Sequence, residues 1–317
     1  MSRRARALGG AVTAPVLLLS ALSAPALAQE KPEADHTPPS PEAISEQTAL
    51  VLAQESGEPV EITAATTETT RHLANPDGSF TMEQAAHPVR VRGRQGWTPV
   101  DTDLVVASDG TLRPRAAVAD VAFSGGGDQT LARVGIGSNS VELSWREDLP
   151  APTIDGSQAT YADVLPDVDL VLTAGVDGFG QVLVVHTPEA AQHEDLAELE
   201  MGLATTGVTM RLADNGILEA IGDRGQESVF TAVAPAMWDS AGAEETGEDP
   251  TVMAPMGART ELLDVDLTPN SIRLVPDMAM LGDAETQYPV YIDPSVAVSR
   301  VGRTYVNARF PSQSYWN

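Results

Sequence analysis

Short runs of alternating apolar and polar residues recur along this chain, and they constrain its fold more than any other feature. One run, VTMRLADNGILEAI at 208–221, places Val208, Met210 and Leu212 on one side of a strand before an Asn-Gly turn. ELEMGLA at 198–204 alternates in the same way. Such alternation is typical of half-buried strands, and Asn-Gly between two runs predicts a hairpin. The chain is therefore predicted to be all-β.

The spacing of these runs predicts an antiparallel β-sandwich, either as one domain or as two sandwich subdomains in series. One short helix is predicted within it, because Thr187 suits the N-cap, Pro188 the first helical position and Glu189 the first turn. The sandwich module is predicted to cover residues 59–295. Residues 296–317 are predicted to begin a further, truncated module.

The first 28 residues have the pattern of a secretory signal peptide. A basic start is followed by an apolar stretch and by Ala26-Leu27-Ala28, which fits an A-x-A cleavage site. The apolar stretch is too short to span a membrane. Residues 29–58 begin rich in proline and charge, which predicts a disordered or partly helical leader. The chain is therefore predicted to be secreted, extracellular or cell-wall associated, with no membrane partner after signal cleavage.

The composition is strongly acidic and contains no cysteine. Asp and Glu number 45 against 19 Lys and Arg, which gives a formal net charge of −26. Such a chain repels phosphates and anionic lipids, so nucleic acid is predicted not to be a partner. Without disulfides, burial of a core must stabilise the fold outside the cell.

Three aspartates lie close together in YADVLPDVDLVL at 161–172. Asp163, Asp167 and Asp169 could be catalytic carboxylates, calcium ligands or the polar edge of a hairpin. A D-x-D-x-E pattern fails because Val171 stands where the third acid belongs, and no bidentate acid completes a calcium loop. The alternation of Asp169 with its apolar neighbours favours the start of a strand. Asp163 and Asp169 are therefore predicted to be structural acids at a turn.

No other pattern predicts catalytic, cofactor-binding or metal-binding residues. His193-Glu194 begins like the zinc motif H-E-x-x-H, but Ala197 stands in place of the second histidine. The Ser-Gly-Gly-Gly stretch at 124–127 is not followed by a helical pattern, so it is not predicted to hold a phosphate. No cofactor is predicted, and the chain is not predicted to be an enzyme.

Three tryptophans, Trp97, Trp145 and Trp238, could form a platform on which a sugar ring stacks. Aromatic residues make up only 4% of the chain, and a sandwich of this size needs its few large rings in the core. Core positions are therefore favoured for these residues. Cell-wall glycan is retained as an alternative partner.

Several stretches taken together resemble one group of proteins. ANPDGSFTMEQ, FSGGGDQTLARV, YADVLPDVDLVL, DGFGQVLVVHTPEAA and the ending SYWN resemble, in this order, the N-terminal region of large secreted actinobacterial proteins that carry LamG-like, DNRLRE-type or RHS modules further along. The resemblance covers residues 45–317. It implies no catalytic residue, and Asp167 stands where this group commonly has glycine.

These features predict a non-catalytic N-terminal scaffold module of a secreted or cell-wall-associated multidomain protein, whose partners are the downstream domains of the same protein. A glycan-binding β-sandwich module is the alternative. A carbohydrate-active hydrolase that uses Asp163 and Asp169 is a weaker alternative, which requires both carboxyl groups to face one cleft at about 5–10 Å.

Overall fold

The computed structural model describes residues 44–94, 96–223, 225, 228–243, 247, 249–293, 299–300, 304–305 and 315–316. The predicted signal peptide, residues 29–43 of the predicted leader and most of residues 296–317 lie outside this part of the chain. Where the chain is described, its regular secondary structure is mainly antiparallel strand.

The helices are α1 (Glu46–Ser56) and α2 (Met278–Leu281), with 3₁₀ turns at Ala190–Gln192 and Glu194–Leu196. The strands in chain order are β1 (Val60–Glu61), β2 (Thr70–Ala74), β3 (Phe80–Gln84), β4 (Arg90–Gly93), β5 (Gly96–Pro99), β6 (Asp101–Val106), β7 (Leu112–Ala116), β8 (Asp120–Phe123), β9 (Thr130–Ile136), β10 (Asn139–Ser144), β11 (Thr153–Asp155), β12 (Gln158–Leu165), β13 (Val168–Ala174), β14 (Phe179–Val185), β15 (Leu199–Thr206), β16 (Val208–Leu212), β17 (Leu218–Gly222), β18 (Ser228–Ala232), β19 (Ala236–Trp238), β20 (Thr260–Leu262), β21 (Asp264–Leu267), β22 (Ser271–Val275), β23 (Val290–Asp293), β24 (Ser299–Arg300), β25 (Thr304–Tyr305) and β26 (Tyr315–Trp316).

Two large antiparallel sheets form the sandwich. The eight-stranded sheet has the order β21-β22-β15-β10-β9-β8-β7-β6, and the seven-stranded sheet has the order β11-β12-β13-β14-β23-β19-β20. Leu143 and Ile272 of the first sheet share one buried cluster with Leu170 and Leu183 of the second. The prediction of an all-β sandwich is confirmed. Since both sheets draw strands from interleaved parts of the chain, they form one sandwich rather than two in series.

The N-terminal part of the described chain builds a smaller unit of structure around α1. Ser45 caps the helix by accepting the N–H of Thr48 at 3.3 Å, and Gly57 ends it in the left-handed region at a φ of 74°. The helix packs on the three-stranded sheet β1-β2-β3, with Ala49 and Ala53 buried against Ile62 and Ala74. The end of the predicted leader is therefore helical and belongs to a packed element.

The Asn-Gly hairpin forms as its alternation predicts. Strand β16 pairs with β17 from Val208, opposite Gly222, to Leu212, opposite Leu218. Strands β18 and β24 extend this hairpin to a four-stranded sheet.

The helix predicted after Thr187 is replaced by two 3₁₀ turns. Thr187 Oγ1 accepts the N–H of Ala190 at 3.2 Å, so the residue does cap a turn. His193 then takes an extended conformation, with φ −63° and ψ 128°, and its Nδ1 accepts the N–H of Asp195 at 3.3 Å. A second turn therefore starts where a continuous helix would have run on. No helix of the described residues is long and apolar enough to cross a membrane.

Candidate functional site

The three clustered aspartates meet His186 and Thr187 at one end of the seven-stranded sheet. Asp163 lies in β12 and Asp169 in β13, while His186 directly follows β14. These strands are neighbours in the sheet, and Val168 pairs with Val185 beside the cluster. The five residues Asp163, Asp167, Asp169, His186 and Thr187 are called the aspartate–histidine cluster below.

A bulge in β12 brings Asp163 and Asp169 together. The register of β12 against β13 shifts between Tyr161 and Leu165, and Asp163 within this shift has a φ of 54°. Its backbone N–H donates to Oδ1 of Asp169 at 2.9 Å. Because the extra residues of a bulge lose their partners in the ladder, this side chain supplies an acceptor that the neighbouring strand does not.

The other carboxylate oxygen of Asp169 is hydrogen-bonded to His186. The distance from Oδ2 to Nε2 is 2.9 Å, and the side chains are 23% and 39% exposed, respectively. This contact leaves Nδ1 as the second nitrogen of the imidazole. A carboxylate that hydrogen-bonds one ring nitrogen orients the imidazole, so this pair is the part of the cluster best suited to acid–base chemistry.

Asp167 has a left-handed backbone and contacts both His186 and Thr187. Its φ of 57° lies in the left-handed region, which glycine adopts at little cost. Its Oδ2 accepts the hydroxyl of Thr187 at 2.7 Å, and its carbonyl accepts the N–H of His186 at 3.2 Å. Asp167 therefore ties the start of β13 to the segment that follows β14.

These contacts do not present Asp163 and Asp169 as a pair of free carboxylates. Both oxygens of Asp169 are engaged, one of them by the backbone of Asp163 rather than by its side chain. The arrangement that a glycoside hydrolase needs, an acid and a nucleophile or base on either side of a bond, is therefore not formed by these two residues.

The tryptophans do not share one platform. Trp145 and Trp238 are each only 4% exposed. Trp238 stacks on Tyr291 at 6.1 Å between ring centroids, and its Nε1 donates to the carbonyl of Pro250 at 3.0 Å. Trp97 is partly exposed in β5, with the Arg92 guanidinium 5.8 Å from the ring. Two of the three rings are thus buried and cannot stack on a sugar.

In the Ser-Gly-Gly-Gly stretch at 124–127, Gly125 and Gly126 allow close backbone packing. A Cβ at Gly125 would collide with the carbonyl oxygen of Gly110, and one at Gly126 would lie 2.7 Å from Cα of Ala151. The carbonyl of Ser124 accepts the buried hydroxyl of Tyr161 at 2.7 Å. These contacts give the stretch a structural role in the sandwich.

Sequence reasoning did not predict the pairing of His186 with Asp169. The signal was present in the hairpin from β13 to β14, which places Asp169 opposite Val184. His186 lies two residues beyond Val184 and so projects on the same face. Within the described ranges, no group of three or more His, Cys, Asp or Glu residues is placed to hold a metal ion.

Fold and cluster together define an all-β sandwich protein with a histidine–carboxylate pair at one sheet end. Two curated proteins are similar to it: the tRNA nuclease WapA of Bacillus subtilis (strain 168) and the tRNA3(Ser)-specific nuclease WapA of Bacillus spizizenii. Each is 22% identical over 280 residues, covering 80% of this chain and 11% of the relative. The chain thus spans about a tenth of the length of these relatives. No protein-family model matches the chain, and no solved structure matches it.

These relatives contradict two predictions made from the sequence. The prediction of a non-catalytic scaffold module is wrong, because the matched proteins are named as nucleases. The exclusion of nucleic acid as a partner is wrong as well, since their names give tRNA as what they act on. Net charge led to the second error, because it describes the average surface of a chain and not every contact that the chain makes.

Proposed function

We propose that this chain functions as part of a nuclease that acts on tRNA. The observation that carries the proposal is the similarity to WapA nucleases over 80% of the chain. A similarity of this extent includes most of the sandwich rather than one short motif. Since the chain corresponds to 11% of those relatives, the proposal concerns a contribution to nuclease function and does not assign the whole activity to these residues.

The contribution can be tested by exchange of segments. In the Bacillus subtilis relative, the matched segment is replaced by the aligned residues of this chain, and cleavage of tRNA is measured. A deletion of the segment and its replacement by an unrelated β-sandwich of the same length serve as controls. We expect the exchanged protein to retain cleavage, and both controls to lose it.

Three results of this exchange would contradict the proposal. The first is an exchanged protein that is folded and present at equal amount, yet cleaves no more tRNA than the deletion. The second is a deletion that cleaves as well as the parent protein, because the segment then contributes nothing. The third is full activity with the unrelated sandwich, because any spacer would then suffice.

We propose in addition that the chain is exported. This rests on the basic, apolar and Ala-x-Ala pattern of its first 28 residues. Expression with this segment should give a mature protein outside the cytoplasm that begins at Gln29, as determined by N-terminal sequencing. Recovery of the uncleaved chain from the cytoplasm would contradict it.

A further inference from the structure

Strand β3 (Phe80–Gln84) is an uncovered edge of the three-stranded sheet. It pairs with β2 on one side, and no described strand pairs with it on the other. All five of its residues are exposed, including Phe80 at 48% and Met82 at 54%. An exposed strand edge of this kind can pair with another extended strand.

The pattern of hydrogen bonds between β2 and β3 shows which backbone groups of β3 point outward. The backbone N–H of Asn75 donates to the carbonyl of Ser79, and the backbone N–H of Ala85 donates to the carbonyl of Thr69, each at 2.8 Å. In an antiparallel pair, mutually bonded residues recur at every second position. Thr81 and Glu83 therefore bond to β2. The N–H and C=O groups of the other three residues face the open side: Phe80, Met82 and Gln84.

We propose that a second copy of this chain docks on this edge, with the two β3 strands antiparallel and centred on Met82. The two-fold axis then places Met82 opposite Met82 of the second copy, and Phe80 opposite Gln84. These are the residues whose backbone groups face outward. The N–H and C=O groups of all three residues in each strand therefore take part in the new ladder. The result is one continuous six-stranded sheet.

The charges on β3 suit this register. Glu83 is the one charged residue of the strand, and it is paired with Arg71, Nη1 to Oε2, at 3.6 Å. The two-fold register places Glu83 opposite Thr81 of the second copy, so no like charges face each other across the new ladder. The two Glu83 side chains lie diagonally across the ladder rather than directly opposite each other, so the register avoids the closest like-charge contact.

The apolar side chains of β3 also favour this occupant. Phe80 pairs with Ala74, and Met82 with His72, so both side chains lie on the face that α1 covers. The helix packs chiefly over β1 and β2, which leaves Phe80 and Met82 beside it. In the paired sheet, the two Met82 side chains are adjacent, with Phe80 of each copy at the diagonal positions.

Crosslinking at position 82 tests the register directly, because the chain contains no cysteine. A mutually bonded antiparallel pair has its Cα atoms about 5.5 Å apart, which lies within disulfide reach. We expect Met82→Cys to form a covalent dimer under mild oxidation. Val51→Cys, exposed on α1, should stay monomeric under the same conditions. Equal crosslinking of both variants would overturn the register.

Charge substitutions at Thr81 test the dimer by sedimentation equilibrium. Thr81→Glu places two like-charge pairs across the ladder, while Thr81→Lys places two opposite-charge pairs there. Both lose the same hydrogen bond from Asn75 to Thr81. We expect Thr81→Glu to weaken self-association by about fivefold and Thr81→Lys to strengthen it by about fivefold. Equal association by both variants, or a folded wild-type protein that stays monomeric at every concentration, would overturn a second copy as the occupant.

Discussion

The carboxylate of Asp169 in β13 accepts the backbone N–H of Asp163 in β12 at 2.9 Å, across the bulge of the neighbouring strand. The same carboxylate contacts His186. We expect Asp169→Ala to lower the free energy of unfolding by about 1–2 kcal/mol, because it removes two hydrogen bonds to a charged, partly buried group. Urea unfolding measures this change.

Two further variants show whether the loss comes from these contacts. Asp169→Asn keeps an oxygen acceptor for Asp163 and should lose about half as much stability. Asp155→Ala removes an exposed acid from β11 and should change stability by less than about 0.5 kcal/mol. If Asp155→Ala and Asp169→Ala behave alike, Asp169 has no special role in the bulge.

Local pattern predicts the strands better than their arrangement. The hairpin of β16 and β17 follows from alternation and an Asn-Gly turn, both of which lie within a few residues. The pairing of β14 with β23 does not, because Leu183 opposite Ile292 joins distant parts of the chain. Such partners are selected by burial of the whole core, which a short window of sequence does not contain.

The candidate site shows the same limit. Clustering of the three aspartates is visible in the sequence, but their roles depend on a bulge and on two left-handed residues, Asp163 and Asp167. His186 becomes a partner of Asp169 only through the register of β13 and β14. The cap at Thr187 was predictable because it is local, whereas the end of its first turn depends on His193.

The glycine stretch offers a comparison within one loop. At Gly125 an added Cβ meets the backbone of Gly110, while at Gly127 it meets nothing within 4 Å but the backbone has a φ of 81°. We expect Gly125→Ala to cost about 3 kcal/mol, since backbone must shift. Gly127→Ala should cost about 1–2 kcal/mol, for left-handed strain alone. Thermal or urea unfolding gives both values. Equal losses would show that packing against Gly110 is not limiting.

Tyr161 should make the fold sensitive to alkali. Burial raises the pKa of its hydroxyl, and the charge of Asp128 raises it further. In the unfolded chain a tyrosine titrates at about pH 10. Above that pH the unfolded state releases a proton that the folded state retains. The free energy of unfolding is therefore unaffected by Tyr161 titration below about pH 10 and falls as pH rises beyond it.

Tyr161→Phe separates this effect from the hydrogen bond. The variant loses the bond to the carbonyl of Ser124 and should be less stable by about 1 kcal/mol at neutral pH. Above about pH 10 the difference from wild type should shrink, because phenylalanine cannot titrate. Urea unfolding at several pH values measures this. Burial also raises the pKa of Tyr288 and Tyr291, so some alkaline loss remains in the variant. A constant difference across the pH range would contradict the role of Tyr161.

Gln181 is a polar residue in the core between the two large sheets. It is 1% exposed, and its Nε2 donates to the sulfur of Met201 in the facing sheet at 3.0 Å. Its Oε1 has no hydrogen-bond partner among the described residues. Because a buried amide oxygen without a partner costs free energy, we expect Gln181→Met, which keeps a similar shape, to raise the free energy of unfolding by about 1 kcal/mol.

Gln158→Met is the matched control. The Gln158 side chain donates to Asp249 and Thr251, both at 3.1 Å, so that variant should lose stability. Urea unfolding of both variants decides the matter: a loss of stability in Gln181→Met would show that its oxygen contributes a favourable contact in the core.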